Sequence, residues 1–364
     1  MPSCVPQAYR SPVGFHQRAR STFHYNHAVF IESSAPTRID LAGGTLDIWP
    51  LYLFHDGAQT LNAAISLRAH CSIRPHGRSR DRRVRIVSED TGVTVDASHW
   101  SELRDSTELR LLGRLLHYFQ AEGLELRTRS ESPVGAGIAG SSALNIAVCA
   151  ALAAWTGKPR ADEALMQIAM NVEAQAIDVP TGAQDFRPAL YGGVSAVELG
   201  VDGVRRVALP LIAADLQQHL VLAYTNASRN SGINNWEVIK RHIDGDRDVQ
   251  ARFGRIRDIA AAMRAALERA DWPAVGHQIA EEWENRKGLA PGVTTPAIDS
   301  MLQAARGAGA FGGKVCGAGG GGCLFCLGPP AALPAIREAL QRAGAQLLDF
   351  HIERDGLRLD IRRT

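Results

Sequence analysis

Ser132-Pro-Val-Gly-Ala-Gly-Ile-Ala-Gly-Ser-Ser142 runs directly into the apolar stretch Ala143–Trp155. The reading of the whole chain turns on this glycine loop and the helix it opens. Gly135, Gly137 and Gly140 allow left-handed backbone and a close approach to a ligand. A helix starting at Ser142 leaves free N–H groups and the positive end of its dipole facing the loop. That is an anion site, and phosphate is its usual guest. Ser141 and Ser142 add hydroxyls: one can cap the helix, and either can ligate a metal. Gly135-x-Gly137-x-x-Gly140 also matches the dinucleotide fingerprint, but that motif belongs to a repeating βαβ unit. The segments upstream here include a hairpin. A Walker A loop needs Gly-Lys-Ser/Thr. Lys158 is followed by Pro159 and Lys314 by Val315, so none is present, and the protein-kinase signature set is missing too.

Two further clusters stand out. Gly312-Gly-Lys-Val-Cys-Gly-Ala-Gly-Gly-Gly-Gly322 precedes the apolar run Cys323–Leu327. Four consecutive glycines are entropically costly, so a ligand or another backbone approaches them closely. Nearer the N-terminus lies Ala35-Pro-Thr-Arg-Ile-Asp-Leu-Ala-Gly-Gly-Thr-Leu-Asp47. An arginine beside carboxylates can orient polyols or neutralise phosphate charge. This cluster reads as part of a turn-rich glycine loop between strands at 28–31 and 58–73.

The remaining pattern mixes strands and helices without regular βα alternation. Hairpins are expected at 83–97 and 193–209. Helices are expected at 103–120, 142–155, 161–177, 249–269, 274–287, 295–307 and 333–343, with strands at 124–129, 219–224, 323–327 and 346–352. The segment 181–193 is polar and glycine-bounded. The class is α+β. At roughly 150 residues per domain, 364 residues suggest two. The division falls near Pro210, giving an N-terminal domain at 32–209 and a C-terminal domain at 210–364.

Forty basic and thirty-eight acidic residues leave a formal charge of +2, which argues against nucleic acid or a membrane surface as partner. The uncharged run Ala143–Trp155 is too short to span a bilayer. Cys323-Leu-Phe-Cys326 has CxxC spacing but no second pair, and reads as buried strand rather than a zinc site. The thiols read as reduced and the chain as cytoplasmic. Residues 1–31 have no acidic residue and carry Arg10, Arg18 and Arg20. They read as a disordered extension rather than a targeting peptide.

The three glycine clusters, in this order, resemble the GHMP kinase superfamily of galactokinase, homoserine kinase and mevalonate kinase. Pro36-x-Arg38…Gly43-Gly44…Asp47 resembles the first motif. Pro133-x-Gly135-x-Gly137-Ile-Ala-Gly-Ser141-Ser142-Ala143 resembles the second, and Lys314-Val-Cys-Gly317-Ala-Gly319-Gly-Gly-Gly322 the third. The spacing from Gly137 to the serine pair is one residue longer than in the commonest form. It is similar to that of bacterial heptose kinases and fucokinase-type enzymes. Gly182-Ala-Gln184-Asp185, Tyr191-Gly-Gly193, Tyr224-Thr225…Ser228-Arg229 and Trp283…Lys287 fit the heptose group. Ala139, Gly140, Cys316 and Cys323 depart from the pattern and leave the exact acceptor open.

The resemblance implies a two-domain GHMP kinase fold: an N-terminal domain like ribosomal protein S5 domain 2, a ferredoxin-like C-terminal domain, and an active site between them. It implies an ATP-dependent sugar kinase acting on an anomeric hydroxyl, with heptose 7-phosphate as acceptor. A hexose, uronic acid, mevalonate or homoserine acceptor, or an inactive sugar and ATP sensor, are the alternatives. ATP would be held by Pro133, Gly135, Ala136, Gly137, Gly140, Ser141, Ser142, Gly319 and Gly320. Ser142 and Glu173 match the family's Mg2+ ligands. Asp185, twelve residues beyond Glu173, would accept or orient the acceptor's proton, with Arg38 beside it. Asp47, Gly44, Gly182, Gln184 and Arg229 would meet the acceptor.

Overall fold

The computed structural model describes residues 29–77, 81–209, 212–228 and 233–363. The first half contains β1 (Val29–Ala42), β2 (Gln59–Pro75), β3 (Val84–Ser88), β4 (Val93–Ala97) and α1 (Arg110–Phe119). It continues with β5 (Leu124–Ser130), α2 (Gly140–Trp155), α3 (Asp162–Ile177), α4 (Phe186–Tyr191), β6 (Val194–Gly200) and β7 (Gly203–Ala208). The second half holds α5 (Ala213–Gln217), β8 (Leu220–Tyr224), α6 (Ile233–Ile243), α7 (Arg247–Glu268), α8 (Trp272–Lys287) and α9 (Pro296–Gly307). It closes with β9 (Gly312–Val315), β10 (Cys323–Leu327), α10 (Leu333–Arg342), β11 (Gln346–Leu348) and β12 (Arg358–Arg363).

Among the described residues the strands form two sheets. The larger has eight strands, with the path β12-β1-β2-β5-β3-β4. β2 is long enough to fork it: Gln59–Ala63 pair with β6 and Ala69–Pro75 with β5. The smaller sheet is antiparallel, β11-β8-β10-β9.

α2 is apolar nearly all round because β1 and β2 lie on one side of it and α1, α3 and α4 on others. Two of the C-terminal helices, α8 and α9, start on side-chain caps. Thr295 accepts from the Ile298 N–H and Asp271 from the Ala274 N–H, each with proline in the first turn. One buried cluster fills the first half around α2. A second lies in the C-terminal half and takes in Leu46–Tyr52. A third joins the halves, packing Ile39, Leu41 and Leu61 with Met263, Ile279 and Phe325.

Several expectations are corrected. The Arg38–Asp40 cluster is strand, not loop. Residues 35–42 of β1 are buried on both faces, so the alternation that marks a half-exposed strand is absent. β1 begins at Val29, inside the supposed extension, paired with β12; residues 1–28 lie outside the described residues. Lys314 is likewise on a strand, β9. The segment 181–193 contains a short helix, and the helix expected at 103–120 starts only at Arg110. The strand expected at 346–352 ends at Leu348, and α6 and β12 were not anticipated. β12 returns to the larger sheet, so the C-terminal end of the chain crosses the division near Pro210. Pro210 and Arg229 lie outside the described residues. No described helix is long and apolar enough to cross a membrane.

Candidate active site

The glycine loop is shaped by left-handed backbone at Gly135, Gly137 and Ala139. Two neighbours hold it. On β1, the Arg38 N–H donates to the Ile138 carbonyl at 3.0 Å and Arg38 Nη1 to the Gly137 carbonyl at 3.1 Å. From β10, the Cys323 N–H donates to the Ala136 carbonyl at 2.6 Å. A Cβ on Gly322 would sit 2.6 Å from that same oxygen, so the last of the four glycines is needed for backbone contact.

The serines do not cap the helix. Its first residue is Gly140, and its N-cap is Ala139 at φ 62, with no side-chain cap. A left-handed alanine is disfavoured by roughly 1–2 kcal/mol. Ala139→Gly is therefore expected to stabilise the fold by about 1 kcal/mol, read as a higher urea midpoint at unchanged slope.

The hydroxyls instead converge on one carboxylate. Ser141 Oγ donates to Glu173 Oε1 at 2.6 Å and Ser142 Oγ to Oε2 at 3.1 Å. Glu173 is buried on α3. Burial, then the nearby Asp185 charge, raise its pKa to about 7 in spite of these bonds. A carboxylate and two hydroxyls at a helix N-terminus are a hard-oxygen donor set. They fit Mg2+ sharing its remaining positions with water and phosphate. No cluster of three or more His, Cys, Asp or Glu suited to a metal occurs among the described residues.

Asp185 stands at the start of α4 and takes two hydrogen bonds on Oδ1, from Arg38 Nε at 2.9 Å and Nη2 at 2.7 Å. Arg38 is fully buried. Burial disfavours its charge, yet Asp185 and Asp40 outweigh this and hold its pKa above the ordinary value. Asp185 remains 27% exposed in its side chain, so an oxygen is free to meet a ligand.

Asp47 lies behind it. Its Oδ2 accepts from the Gln184 N–H at 2.9 Å and its carbonyl from the Ala183 N–H at 3.2 Å. A Cβ on Gly182 would fall 2.0 Å from Asp47 Oδ2, which explains glycine there. Burial, then Asp185, raise the Asp47 pKa to about 7. Gln184 Oε1 is buried with no partner, and neither Gln184 nor Asp47 lines the glycine-loop cavity.

One cavity of about 520 Å³ gathers much of this. Loop residues Pro133–Gly137 and Ala139–Ser142 line it together with Glu173, Gly182 and Asp185. Leu109, Leu112 and Val134 give it an apolar end, and Asn235 of α6 reaches it from the C-terminal half.

Other expected residues are placed differently. Gly319 and Gly320 run past Val293, whose carbonyl accepts from the Gly320 N–H at 2.8 Å, and are not among the lining residues. Gly44 packs on a buried ion group: an added Cβ would lie 2.4 Å from Asp40 Oδ2 and 2.5 Å from Arg286 Nη1.

That ion group was not anticipated. Arg286 Nη1 bonds Asp40 Oδ2 at 2.9 Å, Lys314 Nζ lies 3.4 Å from the same oxygen, and Lys314 also pairs closely with Glu282. Glu282 Oε1 accepts from the Gly43 N–H at 3.0 Å, and Arg286 Nη2 donates to the Gly317 carbonyl at 2.7 Å. The first and third glycine clusters are thereby tied together. Arg187 was also missed. It is buried on α4 and donates to the Ala183 carbonyl at 2.9 Å. The i,i+4 pair Glu282 and Arg286 flanking Trp283 is the sequence signal that could have found the ion group.

Known proteins bear on this geometry. The description GHMP kinases N terminal domain matches residues 108–193, and GHMP kinases C terminal matches residues 263–346. The chain is 28% identical over 339 residues to a D-glycero-alpha-D-manno-heptose 7-phosphate kinase of Campylobacter jejuni, covering 90% of this chain and 98% of that one. It is 31% identical over 264 residues to a mevalonate kinase of Methanothermobacter thermautotrophicus, covering 68% of this chain and 81% of that one. In fold it matches a D-glycero-D-manno-heptose 1-phosphate kinase from Bacteroides thetaiotaomicron, with a TM-score of 0.71 at 24% identity over 91% of this chain and 98% of that one.

Proposed function

Because the chain belongs to the GHMP kinase family, we propose that its cleft moves the γ-phosphoryl group of ATP to the anomeric hydroxyl of a heptose 7-phosphate. The protein is an ATP-dependent sugar kinase. The observation that carries the reading is a single cavity. It brings the glycine loop, the serine–Glu173 cluster and the Arg38-held Asp185 within one ligand's reach.

Phosphoryl transfer rests on positioning and charge neutralisation more than on covalent chemistry. The N–H groups opening α2 and the backbone at Gly135, Ala136, Gly137 and Gly140 bind phosphate oxygens. Leu109, Leu112 and Val134 take the apolar base. Ser142 and Glu173 would hold Mg2+, with Ser141 beside them, and the bound ion would supply charge neutralisation for the phosphates. Asp185 accepts or orients the acceptor's proton. Arg38 holds Asp185 in place through two hydrogen bonds and adds positive charge near the transferred group. Asp47, Gly182 and Gln184 shape the sugar pocket.

The carboxyl of Glu173 titrates at an informative pH. The folded group keeps its proton up to about pH 7, while the unfolded one, with an ordinary value of 4.5, has already lost it. The folded state binds more protons in that window, so its stability falls as pH rises from 4.5 to 7. Glu173→Gln lacks this dependence. Its melting temperature relative to the wild type is expected to climb across that window and level off above it. Mg2+ with ATP should raise the wild-type melting temperature near pH 8, and do so much less for the variant.

The heptose acceptor is supported by the likeness to the Campylobacter jejuni enzyme over nearly the full length of both chains. Mevalonate is the second reading, favoured by the higher identity to the archaeal enzyme over a shorter span. A panel of D-glycero-D-manno-heptose 7-phosphate, galactose, glucuronate, homoserine and mevalonate, compared by kcat/KM with Mg2+ and ATP, separates them. Heptose 7-phosphate is expected to lead by at least about a hundredfold, as discrimination by hydrogen-bonding groups allows. A lead by mevalonate would replace the acceptor.

A further inference from the structure

We propose that the cavity between α1 and α3 is a second binding site, for a phosphorylated small molecule. It is separate from the glycine-loop cavity and holds about 620 Å³. Arg104, Arg114, His117 and Tyr118 line it from the α1 side, and Arg160 and Asn171 from the α3 side. None of its lining residues is an Asp or Glu.

The charge is only partly compensated: among the described residues Asp178, already bonded to Arg110, is the one carboxylate whose charge reaches Arg114. Arg85, Arg110, Arg205 and Arg252 each pair with a carboxylate within 3.1 Å. Among the described residues Arg104, Arg114 and Arg160 make no ion pair or hydrogen bond with a carboxylate, in contrast to Arg110. The Nη1 of Arg160 reaches only the Pro159 carbonyl, at 3.3 Å. Two polar atoms are also orphaned in its wall: Arg114 Nε and His117 Nδ1 are buried without any hydrogen-bond partner. Buried polar atoms left without a partner are costly. Three guanidinium groups around a concavity match the oxygens of a phosphate, each able to give two parallel charge-assisted bonds. The exposed ring of Tyr118 offers a face to the organic part of such a ligand.

The two cavities share walls without sharing residues. Along α1, Arg110–Leu112 line the glycine-loop cavity, whereas Arg114, His117 and Tyr118 line this one. Along α3, Val172 lines this cavity and the adjacent Glu173 the other. A ligand here therefore binds beside the active cavity, not in it.

Calorimetric titration of the full chain with glycerol 3-phosphate, after filling the active cavity with Mg2+ and AMPPNP, tests the proposal. Glycerol is the uncharged control. Binding of AMPPNP is measured first. Its failure would count against the kinase reading, and the glycerol 3-phosphate titration would then proceed on the unliganded protein. We expect saturable binding of glycerol 3-phosphate but not glycerol, weakened at least about tenfold in the double variant Arg104→Gln/Arg160→Gln, as lost charge-assisted bonds imply. Both arginines are exposed, so the variant should fold, which its thermal melt checks. Asp185→Asn should bind the probe as the wild type does. No saturable binding, equal binding by glycerol, or equal binding by the double variant would overturn the site.

Discussion

Replacing Arg286 with methionine is expected to destabilise the protein by about 3–5 kcal/mol, the usual result of stripping one partner from a buried ion group. Arg286, Lys314, Asp40 and Glu282 balance two positive charges against two negative ones, and all four are buried. Burial alone would push the Asp40 carboxyl up. Lys314, Arg286 and Arg38 override it and hold the pKa below the ordinary value. For Glu282 burial wins, and its pKa rises. Without Arg286 the group carries a net negative charge in a dry interior. The Gly317 carbonyl also loses its donor. Chemical denaturation reads the loss directly. Arg85→Gln is the control, because its pair with Asp96 is exposed and screened by solvent. An Arg286→Met variant as stable as the control would show that the group contributes no net stability. Activity should fall too, since this group ties the Gly43 and Gly317 turns together.

The second large effect falls on catalysis. Asp185→Asn keeps the shape of the side chain and removes its charge. It is expected to lower kcat by about 10²–10⁴-fold, the range for a positioned general base, with KM for ATP changed only a few-fold. The carboxylate reaches the glycine loop only through Arg38, whose backbone N–H still holds the Ile138 carbonyl in the variant. Arg38 is buried and loses its counter-ion, so some stability will be lost as well. The kinetic comparison therefore belongs at a temperature where both proteins remain folded. An unchanged kcat would remove Asp185 from its assigned role.

Local features of the site were legible because local spacing carries them. Three glycines, a serine pair and an apolar helix imply a phosphate loop whatever follows. Glu173 and Asp185 stand at a spacing from that loop which the family resemblance made readable, and both line its cavity. Residues whose meaning depends on distant partners were not legible. Asp40 and Arg286 are 246 positions apart, and in an arginine-rich chain only the i,i+4 spacing from Glu282 sets Arg286 apart, with no sign of its pairing to Asp40. Arg187 is hidden for the same reason. The first motif misled in a different way. Arg38 and Asp40 interrupt the apolar pattern, so the segment looks like a loop, yet it is strand because charged partners arrive from α4, α8 and β9. β12 was missed because its six residues are all exposed and only its pairing with β1 makes them a strand.

The most direct test of the account is the identity of the product. Phosphorus NMR of the protein with Mg2+, ATP and D-glycero-D-manno-heptose 7-phosphate should show a new sugar 1-phosphate resonance growing in step with ADP, while the 7-phosphate signal is retained. ADP formed with free inorganic phosphate and no new sugar phosphate would contradict phosphoryl transfer to this acceptor. No loss of ATP with any acceptor in the panel would contradict the kinase assignment itself.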